Sequence, residues 1–205
     1  MRLSIFPLAG ALLFPRAQLP LHIFEPRYRA LVSDAMARDR RIGMIQPREG
    51  DPRKPALFDV GCVGRIADVE ALPDGRYNIV LEGLSRFRMV RELDVATAFR
   101  QVEADCAPFA GDREESEPLP LVLRADVEQE ARRFADARGY AIDWEAVSRL
   151  DDEALVNAVA QIAPFDVAAK QALLEAADVA VRADMVAQFL RFFRLDDGDD
   201  EATMQ

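Results

Sequence analysis

The stretch IFPLAGALLFPRAQLPLHIFEPRYRALVSDAM, residues 5–36, decides the fold of this chain. Its first part consists of short apolar runs that are separated by Pro7, Gly10 and Pro15, residues that break helices and bound strands. From Pro26 onward the apolar side chains recur at the spacing of one helix face. They are Tyr28, Leu31, Val32, Ala35 and Met36. The stretch therefore predicts short strands followed by an amphipathic helix that begins at Pro26, where the missing N–H of proline is no loss.

The residues after this helix follow the pattern of β-strands. The β-prone runs cover residues 42–45, 58–72, 76–82, 87–93 and 102–106. Pro73-Asp74-Gly75 supplies the chemistry of a tight turn, with the glycine at a positive φ, so we expect a hairpin there. Gly61 and Gly64 match a bare GxxG motif, which joins two helices in nucleic-acid-binding KH modules. Because they interrupt a β-prone run, we interpret them as a bulge or a close backbone approach.

The chain beyond residue 120 has a helical pattern. A long helix is predicted from Leu121 to Arg138, with Gly139 as its C-cap. Aspartates are placed to cap three more helices at their N-termini, at Asp151 or Asp152, Asp166 and Asp178. The Phe-rich end of the last predicted helix is interpreted as a core stripe. The C-terminal half is thus expected to be a bundle of helices.

Between the two halves, residues 108–120 have much charge and few residues to bury, which indicates a connection. We predict a β-rich subdomain at 1–110, an acidic linker at 111–119, a helical subdomain at 120–196 and an acidic tail at 197–205. The length of 205 residues is compatible with one large domain or two small ones. The predicted fold class is α+β.

The formal net charge of −10 argues against a broad phosphate-binding surface, which needs clustered Lys and Arg, and against anionic membranes. Four arginines that would form a basic strip on one sheet face are Arg86, Arg88, Arg91 and Arg100. The neighbouring acids Glu92 and Asp94 offset them, so a solvated face is expected. Because Pro7 interrupts the first apolar run and no run is long enough to span a bilayer, a cytoplasmic protein is expected.

No residue has the context of a catalytic, metal-binding or cofactor-binding group. His22 is the only histidine, and it has no nearby Cys or His with which to hold zinc. The only lysines are Lys54 and Lys170, and no serine has an activating context near them in the sequence. Cys62 and Cys106 are expected to be buried, reduced thiols. We therefore predict no catalytic residue, no metal and no cofactor.

Three separated segments, in this order, carry a family resemblance: residues 5–36, quoted above, FDVGCVGRIADVEALPDGRYNIVLEGLSRFRM at 58–89 and LVNAVAQIAPFDVAAKQALLEAADVAVRADMV at 155–186. They resemble the N-terminal, substrate-binding domain of ATP-dependent Lon proteases. The resemblance implies a β-rich pseudo-barrel related to the PUA fold, followed by a helical bundle. No GxxxxGK[ST] phosphate loop occurs in these residues, so a stand-alone domain of this type, without ATPase or protease activity of its own, is predicted.

The resemblance implies a binding module for exposed apolar or unfolded polypeptide segments, or an adaptor for another protein. By analogy and expected exposure, the candidate contacts are Glu25, Arg27 and Arg29 on the polar side of the first helix and the loop residues Phe14 and Leu19. An RNA-binding PUA-like module is the alternative, and a hydrolase with an unrecognised site is a third hypothesis. The sequence leaves the oligomeric state open.

Overall fold

The computed structural model describes the backbone of residues 1–50 and 54–202 and the side chains of residues 1–50 and 54–194. The strands are β1 (Arg2–Pro7), β2 (Gln18–Ile23), β3 (Arg41–Pro47), β4 (Leu57–Ala71), β5 (Tyr77–Leu93) and β6 (Gln101–Asp105). The α-helices are α1 (Pro26–Met36), α2 (Leu121–Arg138), α3 (Trp144–Ser148), α4 (Asp152–Ile162), α5 (Val167–Glu175) and α6 (Val179–Ala202). The predicted α+β class is confirmed. Of the predicted loop between β3 and β4, residues 51–53 lie outside the described residues.

The strands form one sheet that closes on itself. Its order is β2, β5, β4, β3, β1, β6, and β6 also pairs with β5, which closes a barrel of five strands. Closure is possible because β5 is 17 residues long. Its residues 77–82 lie between β2 and β4, its pairing with β4 continues to Arg88, and residues 88–93 pair with β6. The β1–β3 pair is parallel, and the other pairs are antiparallel.

Two glycines of β4 lie where the sheet leaves no room for a side chain. A Cβ added to Gly61 would lie 2.5 Å from the carbonyl oxygen of Met44 and 2.7 Å from the ring of Phe87. At Gly64 the register between β4 and β5 shifts, as a bulge requires. The interpretation of the GxxG motif as a bulge with close backbone approach is therefore confirmed. The predicted hairpin turn is also present, with Gly75 at a φ of 79°.

The loop between β1 and β2 is part of the core of the barrel. Leu12, Leu13 and Phe14 are no more than 2% exposed, although none of the three lies in a strand. The loop is held against β5 by Arg16, whose backbone N–H donates to the carbonyl oxygen of Gly83 over 2.8 Å. The expectation that Phe14 is an exposed loop residue is therefore wrong: its side chain is fully buried, which removes its apolar surface from water.

Contacts divide the chain into two units, Met1–Glu115 and Ser116–Gln205, and the division falls inside the predicted linker 111–119. A 3-10 helix, Ala107–Arg113, ends the first unit and was not predicted. Its Asp112 is buried against Arg86 of β5, with 2.7 Å between Nη2 and Oδ1. A charged residue of the expected linker is thus an internal anchor, because a buried partner of opposite charge compensates its desolvation.

The helices of the second unit begin and end as the sequence predicts. Gly139 ends α2 in the left-handed conformation, with a φ of 66°. The carboxylates of Asp151, Asp166 and Asp178 accept hydrogen bonds from the backbone N–H groups of Ala154, Ala169 and Val181, over 2.7, 2.6 and 2.8 Å. The short helix α3 was not predicted. The backbone of α6 continues to Ala202, through most of the predicted tail at 197–205, and residues 203–205 lie outside the described residues.

Candidate functional site

The second unit contains a groove with an almost wholly apolar lining, which we call the apolar groove. Its volume is about 110 Å³. Phe134 of α2, Leu155 and Val159 of α4 and Leu190 of α6 line its floor, and Trp144 of α3 lines its side. The lining side chains come from α2, α3, α4 and α6 and from the segments that join them. The result is an open apolar depression that accepts carbon-rich groups.

Three large apolar side chains lie at the rim of the apolar groove. Tyr140, Ile142 and Ile162 line it and are 48, 39 and 78% exposed. Exposed apolar side chains grouped around a depression are typical of sites that bind other molecules. Sequence reasoning missed this site, although a signal was present: Tyr140 and Ile142 are apolar residues in the loop after Gly139, where polar residues are the norm.

The first unit presents a different surface at the N-terminus of α1, which we call the α1 surface: Phe24, Glu25, Arg27 and Arg29. Phe24 follows β2 directly and is 61% exposed, and the ring of His22 stacks against it with 6.1 Å between centroids. Glu25 pairs with Arg27 over 2.9 Å. The aromatic residue at this surface is therefore Phe24 and not the predicted Phe14.

The other predicted contacts, Arg27, Arg29 and Leu19, differ in exposure. Arg27 is exposed, and its guanidinium lies 4.5 Å from the ring centroid of Tyr28. Arg29 is half-buried and touches the hairpin turn at Gly75. Leu19 lies in β2 and not in a loop, with its side chain half-buried.

A cleft of about 460 Å³ opens beside Arg27 and holds charges of both signs. Arg100 donates to both carboxylate oxygens of Glu92 over 2.8 Å and to the carbonyl oxygen of Pro55 over 2.9 Å. The hydrogen bond from Arg100 is the main cause that lowers the pKa of Glu92. Burial raises the pKa of Tyr28, whose hydroxyl donates to the carbonyl oxygen of Pro7 over 3.3 Å. The cleft is lined by three cations, Arg27, Lys54 and Arg100, and by two acids, Glu92 and Asp94, and Glu92 pairs with both Lys54 and Arg100.

The arginines considered as a basic strip do not form one. Arg86 is 6% exposed, paired with Asp112. Arg91 pairs with Glu103 over 2.8 Å, and Arg100 with Glu92. The expectation of an offset, solvated face holds for Arg91, whereas Arg86 is part of the interior. This face therefore lacks the contiguous positive charge that RNA binding by counterion release requires.

The titratable residues weighed for catalysis are engaged in structural hydrogen bonds. His22 is exposed, with its Nδ1 2.7 Å from Oδ1 of Asn78 and its Nε2 3.2 Å from Nη1 of Arg76. The buried ammonium group of Lys170 donates to the carbonyl oxygen of Gln161 over 3.1 Å, and burial lowers its pKa. Within the described ranges, no group of three or more His, Cys, Asp and Glu is placed to hold a metal ion. No helix among the described residues is long and apolar enough to cross a membrane.

A closed five-stranded barrel followed by a helical unit with an apolar groove defines the class of the protein: a two-unit α+β fold. Two solved structures show the same fold. One is the Lon N-terminal domain protein from Xanthomonas campestris, with a TM-score of 0.65 and 21% sequence identity. The other is the N-terminal domain of Mycobacterium avium complex Lon protease, with a TM-score of 0.66 and 19% sequence identity. The first alignment covers 91% of this chain and 96% of that one, and the second covers 93 and 98%.

Sequence comparison identifies the family. The family described as the ATP-dependent protease La (LON) substrate-binding domain matches residues 2–191, so the chain belongs to it. Lon protease 2 of Myxococcus xanthus is 28% identical over 193 residues, and Lon protease 2 of Sorangium cellulosum is 31% identical over 199. These alignments cover 92 and 89% of this chain but 23% of each relative. The resemblance seen in residues 5–36, 58–89 and 155–186 is confirmed.

Proposed function

We propose that the protein is a non-catalytic module that binds polypeptide segments with exposed apolar side chains, such as those of unfolded chains. Membership of a substrate-binding domain family supports binding as its role. The apolar groove is the observation that favours apolar side chains as the ligand, because its lining has almost no polar group that could bind a charged or strongly hydrated molecule. Burial of an apolar side chain there releases water from both surfaces.

The α1 surface is proposed as a second contact for the same polypeptide. Phe24 provides an exposed apolar group, and Glu25, Arg27 and Arg29 provide polar groups around it. Leu19 contributes only the exposed part of its side chain. Phe14 is omitted from the proposed contacts, because its side chain is fully buried.

We further propose that these residues have no ATPase or protease activity of their own. The aligned region corresponds to 23% of the Lon proteases of M. xanthus and S. cellulosum, and the 205 residues contain no GxxxxGK[ST] sequence. The module would therefore act by binding, on unfolded segments or on a partner protein for which it serves as an adaptor.

The only tryptophan of the chain makes the proposal directly testable. Trp144 lines the apolar groove, so an apolar occupant replaces water beside its ring and shifts its fluorescence to shorter wavelength. We expect a saturable blue shift when the protein is titrated with a reduced, carboxymethylated protein that cannot fold. The native form of the same protein is the comparison. A shift with the native form alone would favour the adaptor role over binding of unfolded chains.

A pair of variants locates the binding. Ile162→Asp places a charge at the rim of the apolar groove, where the side chain is 78% exposed, so binding should weaken while the fold is kept. Val181→Asp is the control: Val181 is 43% exposed on α6 and does not line the groove. Equal binding by both variants and the unchanged protein would contradict the apolar groove as the site.

A further inference from the structure

We infer that an unfolded polypeptide segment binds to the first unit in extended form, as an additional strand along the open edge of β2. Strand addition at β2 rests on the proposed function and specifies how the segment is bound. Hydrogen bonds to an added strand recognise the backbone of the ligand and therefore accept many sequences. This tolerance suits a module for unfolded chains, which share an accessible backbone and not a sequence.

β2 is an edge strand of the sheet. Among the strands that the structure describes, it pairs with β5 alone, along its whole length. The pairing of β5 with β6 closes the barrel without β2. One side of β2 therefore has no neighbouring strand in the described part of the chain, and Pro20 and His22 are exposed there.

The register with β5 determines which backbone groups of β2 point away from the sheet. The N–H of Gly83 donates to the carbonyl oxygen of Ala17, immediately before β2, over 2.9 Å. In an antiparallel pair, residues that exchange hydrogen bonds alternate with residues whose N–H and C=O point outward. The outward residues of β2 are therefore Gln18, Pro20 and His22. The N–H of His22 and the carbonyl oxygens of Pro20 and His22 face the open edge, where no hydrogen bond from another described residue reaches them.

The open edge of β2 differs in charge from the edge of β4 in the same sheet. The pairing of β4 with β3 ends at Arg65, and the residues of β4 beyond it include Asp68 and Glu70. β2 has no Asp, Glu, Lys or Arg between Gln18 and Ile23. Charged side chains protect an edge against the addition of a strand. The edge of β2 lacks this protection, so an uncharged strand can pair with it without removing a charge of β2 from water.

Apolar side chains lie on both faces of β2. Leu19 and Leu21 point to one face and are half-buried. On the other face the ring of His22 stacks with Phe24, which is 61% exposed. Side chains of neighbouring strands contact each other across the pair. Alternate residues of an added strand would therefore contact Leu19 and Leu21 on one face and the ring of Phe24 on the other.

Pro20 disfavours a second copy of this chain as the added strand. If two β2 strands paired about a two-fold axis at Pro20, the two prolines would lie opposite each other, with no N–H to donate to either carbonyl oxygen. An unfolded segment has an N–H at every residue except proline and can donate to the Pro20 carbonyl oxygen. The backbone groups of a folded partner are already paired with one another. The occupant that fits this edge is therefore an unfolded segment.

Two peptides with the same sequence and the same number of backbone methyl groups test strand addition. Both are octapeptides of alternating Val and Thr with four N-methyl groups, and the unmethylated peptide is the reference. Methylation of every second residue leaves one edge of the extended peptide intact, whereas methylation of the four central residues blocks both edges. By calorimetry, we expect the first peptide to bind about as tightly as the reference. The second should bind about ten-fold more weakly or worse, because it cannot form the hydrogen bonds to Pro20 and His22.

Hydrogen exchange at His22, followed by NMR, locates the bound peptide. Saturation with the unmethylated peptide should slow exchange of the His22 backbone N–H about ten-fold. The N–H groups of Leu21 and Ile23 face β5 and are the internal reference, whose exchange should not change. Pro20→Val adds an N–H at an outward position of the edge and should tighten binding about three- to ten-fold.

Strand addition is wrong if the unmethylated peptide does not bind, if the two methylated peptides bind equally, or if exchange at His22 is unchanged. It is also wrong if His22 is protected in the free protein to a degree that grows with protein concentration, since a second copy would then occupy the edge. With any of these results the proposed function stands, provided that the carboxymethylated protein still shifts the emission of Trp144. If neither that protein nor the unmethylated peptide binds, the proposed function itself is overturned.

Discussion

Arg86 of β5 and Asp112 of the 3-10 helix form a buried ion pair, with 2.7 Å between Nη2 and Oδ1 and each side chain 7% exposed. The backbone N–H of Arg86 also donates to Oδ2 of Asp112 over 2.7 Å. Arg16 donates to the backbone carbonyl oxygen of Asp112 over 2.7 Å. One acidic residue thus attaches the end of the first unit to the barrel and to the loop that carries Phe14.

Replacing Asp112 with Ala should lower the free energy of unfolding of the first unit by about 3–5 kcal/mol, because it leaves the Arg86 guanidinium buried without its anion. Urea denaturation followed by circular dichroism measures the change. Glu103→Ala is the control, since it breaks the pair with Arg91, whose side chains are 67 and 46% exposed, and should cost less than about 1 kcal/mol. If the two variants lost similar amounts of the free energy of unfolding, the buried pair would have no special role in stability.

Truncation of Phe14 should lower the stability of the protein far more than truncation of Phe24. Phe14→Ala removes a fully buried ring and should cost about 3–5 kcal/mol of stability. Phe24→Ala removes a ring that is 61% exposed and should change stability by no more than about 0.5 kcal/mol. Thermal denaturation compares them. If the α1 surface binds polypeptide, Phe24→Ala should also weaken binding of the unfolded protein, and unchanged affinity would remove Phe24 from the proposed contacts.

Gly83 of β5 should not tolerate a side chain. A Cβ there would overlap the backbone carbonyl oxygen of Phe14, and a backbone atom cannot move aside as a flexible side chain can. Gly83→Ala is expected to destabilise the first unit by about 1–3 kcal/mol. Gly111→Ala is the matched control: a Cβ at Gly111 meets no atom within 4 Å, so its effect on the measured midpoint of denaturation should be small. If Gly83→Ala left the stability of the first unit unchanged, that result would contradict the close approach of Gly83 to the carbonyl oxygen of Phe14.

The stability of the second unit should depend on pH through Asp152. Its carboxylate accepts hydrogen bonds from Nη1 of Arg124 over 2.6 Å and from the backbone N–H of Leu119 over 2.7 Å. The hydrogen bond from Arg124 is the main cause that lowers the pKa of Asp152 below the unperturbed 3.8. Since the folded-state pKa is the lower one, the stabilisation is complete above the unfolded-state pKa and is lost as the pH falls through the folded-state pKa.

Denaturation of the protein and of Asp152→Asn over a series of pH values checks this dependence. The difference in the free energy of unfolding should be largest near neutral pH and should shrink in acid. Glu145→Gln is the control, because the side chain of Glu145 is 78% exposed, and it should show little pH-dependent difference. A difference between the protein and Asp152→Asn that is constant with pH would contradict the role of the carboxylate charge.

Local signals were sufficient for most of the secondary structure. The helix from Pro26 to Met36 follows from the spacing of its apolar residues, and the C-cap at Gly139 and the N-caps at Asp151 and Asp166 follow from residue types that satisfy free backbone groups. The short helix α3 has the same kind of signal in Asp143, but its five residues are too few to show an apolar periodicity.

What the sequence by itself determined is the α+β class, the order of most elements, the glycines that permit close packing, and the family, since each depends on residue types and spacings along the chain. The tertiary structure alone decided which aromatic side chains reach the surface, burying Phe14 and exposing Phe24. It also decided that Asp112 is an anchor and that Tyr140, Ile142, Trp144 and Ile162 surround one groove. The physical reason is that burial and charge pairing depend on residues distant in sequence, which only the packed chain brings together.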